Sequence, residues 1–222
     1  MSITQRIDQI TGITAKYLGT VLPAPKSVKI ELTANCNYKC KFCVKSIRPD
    51  NGQMDRAFFS RIIKEMRDEG VEELGLFYIG ESFLCPWLPD TIREAKAIGY
   101  PYVFLTTNGS AATPEKVRAC FEAGLDSLKF SLNFYSSEQL SDIAQVTPRF
   151  WKQSIDHLKE ARKIRDEGYK CGLYASSIAF DGEQGERMKE LVGEILPFVD
   201  EHYWLPLFQM SGASKVAGMK PS

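Results

Sequence analysis

An α/β fold of six parallel strands, curled into a partial (β/α)6 barrel with its helices outside, is what this 222-residue sequence predicts. Three observations carry that expectation. Strand-like and helix-like runs alternate along the chain, two of the strand-like runs are polar on one face, and a loop dense in cysteine follows the first of them.

The strand-like runs are SVKIELT (27–33), ELGLFYIG (73–80), YVFLTTNG (102–109), SLKFSLN (127–133), KCGLYASSI (170–178) and HYWLPLF (202–208). Helical spacing appears between them, in Phe58, Phe59, Ile62, Ile63 and Met66, in Trp151, Ile155 and Leu158, and in Met188, Leu191, Val192, Ile195, Leu196 and Val199. Thr113-Pro114-Glu115 reads as a helix start with proline at its first position, while Asn108-Gly109 and Gly124 punctuate the units. Strand and helix in strict alternation call for a parallel sheet joined by right-handed crossovers. Residues 1–25 are expected to supply a leading helix (3–20) and a linker, 26–210 the core domain, and 211–222 a glycine- and serine-rich flexible tail that opens a further C-terminal region.

Two strands also indicate the sheet's shape. Val28, Ile30 and Leu32 alternate with Ser27, Lys29, Glu31 and Thr33, and Leu128, Phe130 and Leu132 alternate with Ser127, Lys129, Ser131 and Asn133. A closed eight-stranded barrel fills its interior with branched apolar side chains, and central parallel strands usually read as continuous apolar runs. The polar faces therefore favour an open sheet whose concave side holds water or a polar ligand.

Composition excludes several classes. Twenty-eight basic and 28 acidic residues cancel, so no global field favours nucleic acid and no basic block favours an anionic membrane. Neither a signal peptide nor a stretch of roughly 20 apolar residues is present, which predicts a cytoplasmic protein. In that reducing compartment, clustered cysteines point to ligation rather than disulfides.

The cluster is Cys36, Cys40 and Cys43, a C-x3-C-x2-C spacing just after the first strand, at the strand end where parallel α/β folds build their sites. Soft thiolates suit zinc or an iron–sulfur cluster. Structural zinc normally takes four protein ligands from paired knuckles, and neither a second pair nor a histidine lies nearby. An iron–sulfur cube also usually takes four cysteines, so three leave one iron without a protein ligand. His157 and His202 lack ligand spacing.

With Phe42 just before its last cysteine, this loop resembles the signature of the radical S-adenosylmethionine (SAM) superfamily. Further likeness lies in Ile79-Gly80-Glu81, similar to that family's Gly-Gly-Glu motif, in Thr106-Thr107-Asn108-Gly109 at the third strand's end, and in Ser131-Leu132-Asn133 at the fourth's. Ile79 departs from the family's usual first glycine. The Gly52-Gln53-Met54 lead into the first helix, with the leading helix, resembles the subgroup that carries a cysteine-rich SPASM or twitch extension.

The resemblance implies a partial barrel of the radical SAM type, a [4Fe-4S] cluster on Cys36, Cys40 and Cys43, and SAM chelating the fourth iron. It implies an enzyme that reductively cleaves SAM to a 5′-deoxyadenosyl radical, which abstracts hydrogen from a peptide or small-molecule substrate. Glu81 would hold the SAM ammonium, with Gly80 and Asn108 beside it. Ser131 and Asn133 would reach the ribose hydroxyls, Phe42 would pack on adenine, and Arg149 would meet the SAM carboxylate. An electron donor such as flavodoxin or ferredoxin would meet Lys39 and Lys41. Cys85, four residues past Glu81, is either a hydrogen-atom donor or a small buried hydrophobe, and Cys120 and Cys171 read as core. The competing reading is an iron–sulfur electron-transfer or redox-sensing protein without SAM chemistry.

Overall fold

The computed structural model describes residues 22–46 and 51–206, together with Gln5 and Thr20. The leading helix expected over 3–20 and the tail 211–222 fall outside the described residues.

All six predicted strands form one parallel sheet in sequential order: β1 (Ser27–Lys29), β2 (Glu73–Gly75), β3 (Tyr102–Thr107), β4 (Ser127–Ser131), β5 (Gly172–Ile178) and β6 (Glu201–Leu205). The crossovers are carried by α1 (Arg56–Asp68), α2 (Leu88–Ile98), α3 (Pro114–Glu122), the pair α4 (Ser137–Ala144) and α5 (Arg149–Arg165), and α6 (Gly182–Ile195). Sequential order in an all-parallel sheet, each step crossing over through helix, is the winding of a barrel left open between its first and last strands.

Local chemistry fixes the helix ends. Asp55 caps α1 by accepting a bond from the Phe58 N–H at 2.7 Å. Thr113 and Pro114 open α3 where the sequence places its start. Ser136 caps α4 through the Gln139 N–H, and Gln145 ends that helix in the left-handed conformation (φ 53°).

The strands' two faces behave as their alternation demands. Leu128, Phe130, Val103, Leu105, Leu173 and Ala175 are fully buried beneath the helices. The opposite face carries Lys129, Ser131 and Thr106, with Lys129 register-paired to Thr106 and Tyr174. β1 and β2 form shorter ladders than their sequence runs. Beyond them the Ile30 N–H still reaches the Gly75 carbonyl and the Leu76 N–H the Phe104 carbonyl. After that the chain turns into loops, and Thr33 forms an antiparallel bridge with Gln53.

Gly109, just after β3, adopts φ +83°, and a Cβ there would meet Ser154 Cβ at 3.0 Å and Phe130 Cδ1 at 3.1 Å. A left-handed backbone and a crowded Cβ site both exclude a side chain. Gly109→Ala should therefore lower stability by about 2–3 kcal/mol. Gly193→Ala, inside α6 with open space around its Cβ, should raise it by about 0.5–1 kcal/mol. Urea denaturation of the two variants beside the parent chain checks both signs.

Candidate active site

The cysteine loop is clamped from three sides. On the first, a Cβ at Gly80 would lie 1.9 Å from the Thr33 carbonyl oxygen, so the loop's entry rests directly on the backbone after β2. The Glu81 N–H then donates to the Asn35 carbonyl at 2.8 Å. On the second, the N–H groups of Lys39 and Lys41 donate to the Ala144 and Ile143 carbonyls at 2.9 Å each. Those are carbonyls of the last turn of α4, which the helix itself leaves unsatisfied. On the third, Asn37 donates to Ser110 Oγ (2.7 Å), Ser110 Oγ to Asn108 Oδ1 (2.6 Å), and Asn108 Nδ2 to Asn37 Oδ1 (3.0 Å), a closed ring between the loop and the end of β3. Asn108 Nδ2 also lies 4.0 Å from Cys36 Sγ.

Glu81 sits where these supports meet. It is 2% exposed, and its Oε1 accepts from Thr107 Oγ1 (2.7 Å) and the Phe83 N–H (3.1 Å), while Oε2 accepts from the Asn108 N–H (2.7 Å). Burial raises the carboxyl's pKa, and the three donors oppose that rise. Glu31, on the first strand run, accepts the Ile79 and Gly80 N–H groups at 3.1 and 2.8 Å. Its carboxylate thereby fixes the same turn from the other side.

At the strand ends lies a cleft of about 350 Å³ whose lining includes Cys36, Cys40, Cys43, Phe42, Gly80, Glu81, Asn108, Ser131 and Asn133. All nine cofactor or metal residues named outside α5 line this cleft, four from the cysteine loop, two from the turn after β2, one from the end of β3 and two from β4 and its exit. Arg149 does not join them. It begins α5 exposed, its guanidinium 5.3 Å from the Phe150 ring centroid. Phe150, one residue on and about 100° around the helix, takes the inward position and stacks on Tyr38 at 6.1 Å.

Cys85 is also elsewhere: 3% exposed, it ends the 3-10 turn Ser82–Leu84 and faces a separate pocket with Leu88, Pro89 and Cys120. It is absent from the lining of the cleft, and its burial suits the small buried hydrophobe. Cys120 and Cys171 are core residues. His157 bonds the Gly109 carbonyl at 2.7 Å and His202 bonds Ser177 Oγ at 3.0 Å. Lys41 pairs with Asp142 at 2.6 Å, and Lys39 is exposed.

None of the six cysteines is disulfide-bonded. Burial pushes the Cys36 thiol up to about 11 and Cys40 higher, and the neighbouring loop thiols add to the rise. Such groups shed their protons only to a bound cation. Among the described residues no three Cys, His, Asp or Glu side chains converge on a single metal-ion position. A cube of iron and sulfide takes its thiolates at separate corners, and three loop thiols on one cleft suit it. Asn133 contributes a second sign of fit, because its Oδ1 is buried and without a hydrogen-bond partner beside the cleft.

Several residues went unmarked in the sequence. Asn37 and Ser110 hold the site through contacts between segments far apart in the chain, and no local pattern signals them; Thr107 and Glu31 stand in the third-strand motif and on the polar face of the first strand, without their Glu81 and Gly80 contacts being legible. Tyr38, buried beside the cleft, was detectable only as an aromatic between two cysteines.

An open parallel barrel with a three-thiol loop over a cleft of mixed polar and apolar lining is the architecture of an iron–sulfur enzyme. Residues 30–195 match the Radical SAM superfamily, and the chain belongs to it. Members of that family use a [4Fe-4S] cluster and SAM. Among relatives, the chain is 32% identical over 160 residues to a tungsten-containing aldehyde ferredoxin oxidoreductase cofactor-modifying protein of Pyrococcus furiosus, covering 70% of this chain and 43% of that one. It is 34% identical over 120 residues to a GTP 3′,8-cyclase of Chlorobaculum tepidum, covering 53% and 36%. In fold it is similar to Streptococcus suis SuiB bound to its precursor peptide SuiA, with a TM-score of 0.74 and 18% identity over 90% of this chain and 43% of that one. The chain thus spans about a third to three fifths of the length of the curated relatives it matches.

Because Gly80 tolerates no Cβ against the Thr33 carbonyl, Gly80→Ala should displace the cysteine loop while leaving the sheet intact. The expected result is a marked loss of iron and sulfide after anaerobic reconstitution, with far-ultraviolet circular dichroism unchanged.

Proposed function

We propose that this chain is the catalytic core of a radical SAM enzyme that cleaves SAM reductively and acts on a peptide or small-molecule substrate. The observation that carries the proposal is the convergence of three loop thiols and an unpartnered Asn133 Oδ1 on one cleft. When bound, the cluster and SAM together supply a 5′-deoxyadenosyl radical able to take a hydrogen atom from a substrate.

The chain's own residues bind and orient. Cys36, Cys40 and Cys43 hold three corners of the cluster. An ionised carboxylate offers about four acceptor sites, and Glu81 uses three on Thr107, Phe83 and Asn108. The fourth suits the SAM ammonium, so one carboxylate both braces the site and orients the ligand. Asn133 Oδ1 and Ser131, alternate residues leaving β4, offer partners to ribose hydroxyls. Phe42, stacked on Phe134 at 6.2 Å, gives adenine a flat apolar wall already held in place. The likeness in fold to a peptide-bound enzyme supports a peptide as one substrate class, and an acidic electron donor would approach on the side of exposed Lys39.

The chain reconstituted anaerobically and reduced with dithionite should convert SAM to methionine and 5′-deoxyadenosine, whereas Cys40→Ala should yield none. Iron-loaded protein that binds cluster but forms no 5′-deoxyadenosine would instead mark an electron carrier. Asn133→Ala should weaken SAM binding about 5- to 10-fold, the loss of one hydrogen bond of about 1 kcal/mol, with iron content unchanged. Equilibrium binding of SAM to the reconstituted variant checks this.

A further inference from the structure

The inward row of β4 runs Lys129, Ser131, Asn133, and the last two line the cleft. Lys129 lies one step deeper on the same face. Its Nζ donates to Tyr203 Oη on β6 at 2.8 Å and sits 5.3 Å from that ring's centroid. A second lysine shares the concave side: Lys29 Nζ is 5.5 Å from the centroid of Phe77, a lining residue of the cleft. Its stem lies over Gly75, where a Cβ would fall 3.1 Å from Lys29 Cγ and 2.9 Å from Phe104 Cζ.

Among the described residues neither ammonium is within ion-pair distance of a carboxylate. Glu31 just beyond β1, Glu73 on β2 and Glu201 on β6 share the inward alternation, and the Glu31 carboxylate is engaged by the Ile79 and Gly80 N–H groups. Of the three donors on Lys129, Tyr203 takes one. Desolvation, with the Lys29 charge adding to it, lowers Lys129 to about 8. Burial pushes Tyr203 up to about 12, so it stays a phenol with a proton of its own to donate. Lys29 is exposed and keeps its hydration, whereas Lys129 is part-buried with the Lys29 charge near it, so an anion reaching both would offset the desolvation of Lys129.

We propose that Lys129, with Lys29 and Tyr203, anchors an anionic group of the substrate, a carboxylate or a phosphate, on the concave face of the sheet below the cofactor cleft. The proposal rests on the radical SAM reading for the substrate's location, since a group held there lies beneath Ser131 and Asn133. Lys129 then acts in binding, not in the hydrogen transfer itself.

Titration of the full, anaerobically reconstituted chain after 13C reductive methylation tests this, with the Lys129 resonance assigned by its absence in Lys129→Arg. Saturating inorganic phosphate or acetate should move the Lys129 midpoint upward from about 8 toward 10.5 by at least one pH unit, a tenfold preference for the ammonium form. The sign follows because a bound anion stabilises the charged lysine. A response to phosphate alone identifies a phosphorylated substrate, to acetate alone a carboxylate, and to both an anchor that accepts either. Lys29→Met should reduce the shift without abolishing it. No movement with either anion, or an equal movement with chloride at matched ionic strength, overturns the proposal. The readout needs no SAM turnover, so its failure and a failure to form 5′-deoxyadenosine are separate results.

Discussion

The site depends on a contact that admits no side chain: Gly80 against the carbonyl of Thr33. That approach brings the turn after β2 onto the entry of the cysteine loop, and it allows the Glu81 N–H to reach Asn35. Glu81 then faces inward with three donors on its carboxylate, drawn from the 3-10 turn that follows it and from the end of β3. A buried carboxylate without partners would cost several kcal/mol. With three donors it becomes a brace, and the strain of removing it would spread to Phe83, Thr107 and Asn108 together.

The same economy runs through the other supports. α4 ends with two carbonyls that its own geometry cannot satisfy, and the cysteine loop supplies the missing N–H groups from Lys39 and Lys41. The Asn37–Ser110–Asn108 ring closes the third side with every member both giving and receiving a bond. A loop of this length would otherwise sample many conformations. Held on three sides, it presents its thiols at fixed positions before any cluster arrives, which lowers the ordering cost of binding one.

Much of this was legible in the sequence, and the boundary is physical. Six strands and their parallel winding followed from periodicity and the cysteine cluster from its spacing, while Glu81, Ser131 and Asn133 followed from the resemblance of their motifs to those of the radical SAM family. Those are signals a residue carries in its own neighbourhood. Arg149 shows where that reasoning stops: its place before a helix suggested a cation for SAM, yet helix phase gives the inward position to Phe150 and turns Arg149 to solvent. Cys85 shows the same limit, since four residues from Glu81 are enough to carry it from the cleft lining to a separate pocket shared with Leu88 and Cys120. Glu31 and Asn37 find their partners across 49 and 73 residues, a pairing that no local pattern in a single sequence specifies.

The two faces of the sheet divide the work between folding and chemistry. On the helix side, Leu128, Phe130, Leu105 and Leu173 are excluded from water and supply the apolar burial that holds the strands together. Relieved of that task, the concave side can carry lysine, serine and asparagine whose hydrogen-bonding capacity the fold itself does not use up. Asn133 Oδ1 and the spare donors of Lys129 are two cases on a single strand, four residues apart. Polar groups left underused beside an apolar core would be a defect in a purely structural sheet. Placed in one row leading down from the cysteine loop, they are what a fold needs if a nucleoside and then a substrate are to complete its hydrogen bonding.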